Sequence, residues 1–461
     1  MNTQEPSASL LLDKTYGWHP FTPLDEWLDP QHHPVMIASG HGSWLVDEEG
    51  KAYLDGNSSI WTNTHGHCHP RMVQALQEQL TILDHSSYLG LGHSLGASLA
   101  QKISQLTDLQ RVLFSSDGSS AMEAALKIAT QYFHQNGSPE RKVFVTLQGA
   151  YHGDTVGNMS LGKSSFFHRP FEHLLFPTES IPMPGCYRCP FNQSTFEEED
   201  ARSYRKCQWE CVSKAAEVML QFGTEMAALV IEPRVQGAAG MVMQPEGYIE
   251  KISEIPHAHD ALLIVDEVFT GFGRTGKMLA SDPSVTKPDI IVLGKGLTGG
   301  VLPMAATAVS ETIFNGFRGS FEKTFFHGHS YTGNPLSARA ALTNLELFEE
   351  EKTIEKIKGL STHLRKISAC FWKHSSVGDV RIEGVILAVE LVQDRLTKEP
   401  FRFEERVAYQ INKIAESKGL LTRGIGSILF LVPPYSTTAS ELEQMVQILD
   451  DSIHDYFQKR S

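Results

Sequence analysis

Pro288–Gly300 (PDIIVLGKGLTGG) carries an apolar run straight into Lys295, a lysine set among glycines. An amine in a partly desolvated pocket has a lowered pKa, and its neutral form attacks carbonyl groups. Ala261–Asp266 (ALLIVD) ends a second apolar run on Asp266, with Glu267 next. Ligand groups gather at the carboxyl ends of strands in parallel α/β sheets. Each residue also has a plainer reading. Asp266 can cap the next helix or pair with Arg274, and Lys295 can be a surface lysine or a phosphate contact.

Three further stretches carry chemistry. Ser116–Glu123 (SDGSSAME) lies between a strand-like run and a helical pattern. Consecutive N–H groups at a helix start make an anion site, and the hydroxyls of Ser119 and Ser120 add donors. Gly149–Asp154 (GAYHGD) presents Tyr151 and His152 between glycines, where a ring can stack on a flat ligand. Phe325–Asn334 (FFHGHSYTGN) has no helical or strand period and suits a phosphate or backbone contact. His327 and His329 lack a carboxylate at metal-ligand spacing. Together the parts match one cofactor, pyridoxal 5'-phosphate. It needs a carboxylate at its ring nitrogen, a lysine at its aldehyde, donors at its phosphate and an aromatic over its ring.

The elements that must position these residues read as alternating strands and helices. Buried strands are expected at Arg111–Ser115, Lys142–Leu147, Ala227–Glu232, Ala261–Asp266, Asp289–Leu293 and Met304–Val309. They are rich in Val, Ile and Leu and mostly lack polar alternation, as strands covered on both faces do. Arg71–Leu83 predicts a helix with Val73, Leu76, Leu80 and Leu83 inward. Ser119 or Ser120 is expected to cap a helix from Ala121 to about Gln135, and a helix carrying Leu442, Met445, Val446, Leu449, Ile453 and Tyr456 follows the cap region at Ser436–Thr438. The expected architecture is α/β. Residues 70–340 form a large domain around a mostly parallel sheet, and residues 1–69 and 341–461 form a smaller α+β domain from both chain ends. Pro182–Cys211, polar and cysteine-bearing, reads as a long surface excursion.

Composition narrows the function. Of 461 residues, 40 are Lys or Arg and 54 are Asp or Glu, a formal charge of −14 that disfavours nucleic acid or an anionic membrane as partner. Six cysteines are too few for a secreted disulfide framework. No apolar run reaches the ~18–20 residues of a membrane span, so a cytoplasmic protein is expected. Cys186-x-x-Cys189 and Cys207-x3-Cys211, 17 residues apart, approach a zinc-ribbon pattern, but the last gap is three rather than two. No metal is assigned. A zinc-bearing binding protein without catalytic activity is the rival of another class.

The stretches SDGSSAMEAALK, GAYHGDT, VIEPRVQGAAGM, LLIVDEVFTGFGRTGK, PDIIVLGKGLTGG and HGHSYTGNPLSA together resemble the class III aminotransferases of the fold type I pyridoxal-phosphate enzymes. Within that class, WHPFT, NSSIWTNTHGH, GAYHGDT and LTRGIGSILFLVPPY make the chain similar to the 7,8-diaminopelargonate synthase family of biotin biosynthesis. The resemblance implies a homodimer with shared active sites. It also implies amino transfer onto 8-amino-7-oxononanoate from S-adenosylmethionine or, in one branch, lysine. The rival within the class is an enzyme acting on an ω-amino acid or a diamine. By resemblance, Lys295 carries the cofactor and Asp266 faces its ring nitrogen. Gly118 and Ser119 match the phosphate turn, and Tyr151 matches the aromatic over cofactor and substrate. Ser330, with His329 before it, matches a phosphate contact from the other subunit, and Gly328 falls at a substrate-contact position. Arg423 matches the arginine that holds a substrate carboxylate, and Glu232 lies in the family's Glu-Pro turn. Phe21, Ile60 and Trp61 fall at substrate-pocket positions. Phe21 stands where many members have tyrosine, Ile60-Trp61 where the adenosylmethionine users commonly have Trp-Trp, and His329-Ser330 where they tend to have Pro-Thr. The IWTNTHGH and GHSYTGN stretches resemble the lysine-using branch more closely, and the donor stays open between the two.

Overall fold

A computed structural model describes residues 7–162 and 167–460. Seven strands form the main sheet, in the order Arg111–Ser115, Ala305–Val309, Ile290–Leu293, Leu262–Asp266, Met226–Ile231, Val143–Leu147 and Glu179–Ile181. Ala305–Val309 runs antiparallel to both its neighbours, while the pairs from Ile290–Leu293 onward are parallel. The apolar strands lack polar alternation because both faces are buried. Leu229, Ile231, Leu263, Val265, Ile291 and Leu293 face one core. Ala228, Val230, Leu262, Ile264, Ile290 and Val292 face the other.

Helices cover the two faces. Gly118–Gln135 lays Ala121, Met122, Ala125, Ile128 and Ala129 on one. Ser94–Thr107, Glu210–Phe222 and Tyr248–His257 pack on the other. The cap of Gly118–Gln135 differs from expectation. Asp117 is the N-cap and its carboxylate accepts from Ser120 N at 2.9 Å, so Ser119 and Ser120 sit inside the first turn. An ionised carboxylate is the stronger acceptor at a helix N-terminus.

Both chain ends build the smaller part. Ile37–His41, Trp44–Asp47 and Ala52–Asp55 form an antiparallel meander, and Leu420–Leu421 joins it parallel to Ala52–Asp55. Val377–Glu383, Ile386–Asp394, Ile428–Leu431 and Arg423–Ile425 form a second antiparallel sheet. The helix Ala439–Gln458 packs over it with Leu442, Met445, Val446, Leu449 and Ile453 buried, and starts at a Thr438/Glu441 capping box. The helix Pro335–Glu350 runs across position 341 and packs on Pro70–Leu80.

Two expectations are corrected. The helix Pro70–Leu80 buries Met72, Ala75 and Gln79, with Leu76 half-buried, whereas Val73 and Leu80 are exposed. Two apolar stripes share this helix, and the one at 72, 75, 76 and 79 meets Ala340 and Leu347. The stretch 182–211 is no loose surface excursion. Cys186, Tyr187 and Ala201 are buried against Val392. Charges lock the stretch down: Arg202 pairs with Asp200 and Glu383 at 2.7 Å each, and Arg188 with Glu390 at 2.6 Å. Arg234 also reaches Glu383, and Arg381 reaches Asp379 and Glu390. The arginines that suggested solvent are paired ions, held to Glu383 and Glu390 of the second antiparallel sheet.

Candidate active site

Five loops leave the carboxyl ends of strands that run the same way in the main sheet and enclose one cavity of about 460 Å³. Ser116–Ser119 follows Arg111–Ser115, Tyr151–Gly153 follows Val143–Leu147, and Glu232 follows Met226–Ile231. Asp266 ends its own strand, and Lys295 stands just past Ile290–Leu293. Asp266 pairs in register with Val292, which brings the carboxylate and the lysine loop side by side. The sheet topology thus gathers residues that are far apart in sequence.

Lys295 is half-buried in the cavity wall and has φ +42°, a left-handed conformation reached between Gly294 and Gly296. Its Nζ lies 5.0 Å from the Trp61 ring centroid and 5.8 Å from that of Phe269. Among the described residues Nζ makes no hydrogen bond. Burial pulls its pKa below the ordinary lysine range, although the charges of Asp266 and Glu232 oppose this. The amine is therefore primed as nucleophile and base.

Asp266 pairs neither with Arg274 nor as a helix cap. Its Oδ2 lies 2.7 Å from His152 Nδ1, and its Oδ1 accepts from Val268 N at 3.0 Å. Burial works against a charged His152, yet the hydrogen bond and charge of Asp266 outweigh it and hold its pKa above the usual value. Residue-type reasoning noticed His152 beside Tyr151 but gave it no role. Its only sequence signal is adjacency to the aromatic, because its partner is 114 positions away. Arg274, also buried, instead donates to Ser58 Oγ, Pro433 O and Asn63 O.

Glu232 accepts from Tyr151 N at 3.2 Å and Gly237 N at 3.1 Å, and burial pushes its pKa up to about 7. Tyr151 lines the cavity and its hydroxyl donates to Asp154. Gly118 and Ser119 also line the cavity, beside Val268 and next to the lysine loop, where a Cβ at Gly294 would stand 3.5 Å from Gly118 Cα. A Cβ at Gly118 would stand 2.6 Å from Val268 Cγ1, and one at Gly153 would run into Ser119 Oγ. These two glycines let backbone N–H groups come close to a ligand, as an anion cradle requires. A flat pyridine ring bearing an aldehyde and a phosphate fits this donor set: amine, carboxylate and cradle, with an aromatic wall.

Of the other expected residues, Trp61 lines the cavity and Ile60 does not, being exposed. Phe21 is exposed and meets Phe167 edge-on at 5.7 Å, away from the cavity lining. Gly328, His329 and Ser330 are likewise outside this chain's lining, although His329 lies 3.2 Å from Ser116 Oγ. Arg423 sits on Arg423–Ile425 with Phe430 opposite in register, and Phe430 packs edge-on against Trp61 at 6.0 Å. Its guanidinium has no hydrogen-bond or ion-pair partner among the described residues, and partial desolvation lowers its pKa. Cys186, Cys189, Cys207 and Cys211 are free thiols. Among the described residues no group of three or more His, Cys, Asp or Glu is placed to hold a metal.

A desolvated lysine, a carboxylate and a glycine-bearing helix start that share one cavity at the carboxyl edge of an α/β sheet define a cofactor-dependent group-transfer enzyme. The chain belongs to the class-III aminotransferases, whose family model matches residues 28–453. It is 42% identical over 446 residues to an adenosylmethionine-8-amino-7-oxononanoate aminotransferase of Geobacter sulfurreducens, covering 96% of each chain. The Methanocaldococcus jannaschii enzyme of the same name has a crystal structure that superposes with a TM-score of 0.89 at 37% identity, covering 97% of this chain and 98% of that one. An omega transaminase from Pseudomonas jessenii, solved in complex with PMP, also gives 0.89, at 28% identity over 98% and 99% of the two chains.

Proposed function

We propose that this enzyme transfers an amino group onto 8-amino-7-oxononanoate, yielding 7,8-diaminononanoate for biotin biosynthesis. The donor is S-adenosylmethionine or lysine. The cofactor is pyridoxal 5'-phosphate, which, when bound, supplies an electron sink for the carbon that gains or loses the amino group. Lys295 holds it and, once released, moves the proton at the reacting carbon as general base and acid. Asp266, steadied by His152, keeps a negative charge against the ring nitrogen. Gly118 and Ser119 supply donors for the phosphate, and Tyr151 packs over the ring and the substrate. Glu232 stands close enough to exchange charge compensation with Lys295 and His152.

The observation that carries the substrate reading is Arg423. It is an exposed guanidinium with no carboxylate partner among the described residues, paired in register with Phe430, which packs on the cavity residue Trp61, in a chain whose relatives carry this activity in their names along nearly their whole length. Its planar fork suits a substrate carboxylate. Arg423→Ala is expected to raise the KM for the keto substrate about tenfold or more, the scale of one lost charge-assisted contact, without loosening the cofactor. An unchanged KM refutes that role.

A homodimer with shared sites completes the reading. Leu11, Leu12, Tyr16, Trp18, Val73 and Leu80 are exposed apolar side chains, and a partner subunit would cover residues of this kind. A partner subunit is the natural place for the contacts of Gly328, His329 and Ser330. Among the described residues no helix is long and apolar enough to cross a membrane, and we assign the enzyme to the cytoplasm. The deciding assay offers 8-amino-7-oxononanoate with adenosylmethionine and with lysine in separate reactions. Turnover with at least one donor supports the reading. Activity confined to β-alanine or putrescine overturns it.

A further inference from the structure

Ser58, Ser59, Ile60 and Trp61 have φ values of +47°, +49°, +66° and +67°, and ψ is +52° at both Ser59 and Ile60. Four consecutive residues with side chains thus form one left-handed helical turn. L-residues avoid this conformation because Cβ crowds the following carbonyl, and glycine is the usual occupant. No glycine lies within the turn. Such strain persists only where the surroundings over-determine it, and it collects at functional sites.

The restraints are on the page. Asp55, buried beneath the turn, accepts from Asn57 N at 3.1 Å, Ser59 N at 3.3 Å and Ser59 Oγ at 3.2 Å. His67 Nε2 lies 2.9 Å from Asp55 Oδ2, the oxygen that also accepts from Ser59 Oγ. The His67 tautomer follows from its neighbours. Asn63 Oδ1 accepts from Gly66 N, so the Asn63 amide N–H points at His67 Nδ1, which must accept. Nε2 therefore carries the proton and donates to Asp55. Ser58 Oγ donates to Val432 O at 2.6 Å, tying the turn to the residue just past the strand Ile428–Leu431.

The turn delivers Trp61. Its ring stands 4.4 Å from Phe269 and 5.0 Å from Lys295 Nζ, and it faces Phe430. Right-handed backbone at these positions would point the indole elsewhere. We propose that Asp55 and His67 are positioning residues for the amino-transfer reaction. Without touching substrate, they hold the left-handed turn that seats Trp61 as the wall of the acceptor pocket. The inference rests on the proposed transaminase reading and adds to it a pair that nothing else in the site requires.

A double-mutant cycle tests it, using full-length holoenzyme with 8-amino-7-oxononanoate as acceptor. If His67 acts through Trp61, His67→Ala and Trp61→Phe each raise the acceptor KM about tenfold, and the double variant is no worse than the poorer single by more than about twofold. Cofactor absorbance stays at the wild-type level in every variant. His67→Gln, whose amide still donates to Asp55, keeps KM within about threefold of wild type. Ser59→Gly, which makes the left-handed turn easy, recovers part of the KM lost in His67→Ala. Should His67→Ala not accumulate as folded protein, the isosteric Asp55→Asn carries the same cycle. Multiplicative effects in the double variant, or no recovery by Ser59→Gly, overturn the proposal. A wild type inactive with this acceptor overturns both readings, whereas an active wild type with multiplicative effects overturns this one alone.

Discussion

Removing His152 isolates what the carboxylate at the ring nitrogen needs. His152 and Asp266 meet at 2.7 Å with both side chains buried, so the bond is charge-assisted and unscreened. A hydrogen bond to a charged group contributes about 1.5–3 kcal/mol, and a buried charge that loses its partner costs about 3–5 kcal/mol. Asp266 keeps the bond from Val268 N, and on the proposed reading a bound ring nitrogen would partner it as well, so the lower range applies. At 1.36 kcal/mol per factor of ten, His152→Ala should lower kcat/KM of both half-reactions about 10- to 150-fold. His152→Asn, whose amide can donate from nearly the place of Nδ1, should lie between Ala and wild type. Stability carries a second signature. The folded pKa of His152 is raised, so its contribution is fully present below about 6.5 and is lost as pH rises through the folded value. Thermal melts of the apoenzyme should show that loss in wild type and not in His152→Ala. Stopped-flow half-reactions read the first effect. Rates within about threefold of wild type, with an unchanged pH–stability curve, would refute the reasoning.

Glu232 gives an independent pH test. Its folded pKa near 7 stands above the ordinary 4.5, so its contribution to apoenzyme stability is present below pH 4.5 and lost as pH rises to about 7. Glu232→Gln should flatten this limb, worth about 3 kcal/mol, and a limb of unchanged size would assign it to another group. Gly153→Ala should cut cofactor affinity about tenfold or more, because the new Cβ meets Ser119 Oγ in the phosphate cradle and φ is +122° there. Equilibrium dialysis of the cofactor reads this, and wild-type affinity would show that the cradle yields.

Much of this is legible in the sequence itself. Lys295 and Asp266 announce themselves because each ends an apolar strand, and strand ends in a parallel sheet converge on one edge. The strands themselves read correctly because two buried faces leave no polar alternation at Leu262–Asp266 or Ile290–Leu293. What failed depended on partners distant in sequence. Val73 and Leu80 share a helical stripe as regular as that of Met72, Ala75 and Leu76. Only the position of Ala340 and Leu347 decides which stripe is buried. Arg202 and Arg188 read as solvent-seeking until Glu383 and Glu390 appear beside them. The left-handed turn at Ser58–Trp61 contradicts local preference outright. No sequence rule places four such residues there, and only the buried Asp55 and its neighbours explain it.

The central claim is that the amine of Lys295 is the group that carries the coenzyme. Borohydride reduction of the holoenzyme, followed by peptide mapping, tests it most directly. The account predicts one pyridoxyl-modified lysine, in the peptide containing Gly294-Lys295-Gly296. A modification on any other lysine, or a coenzyme released intact after reduction, would contradict it.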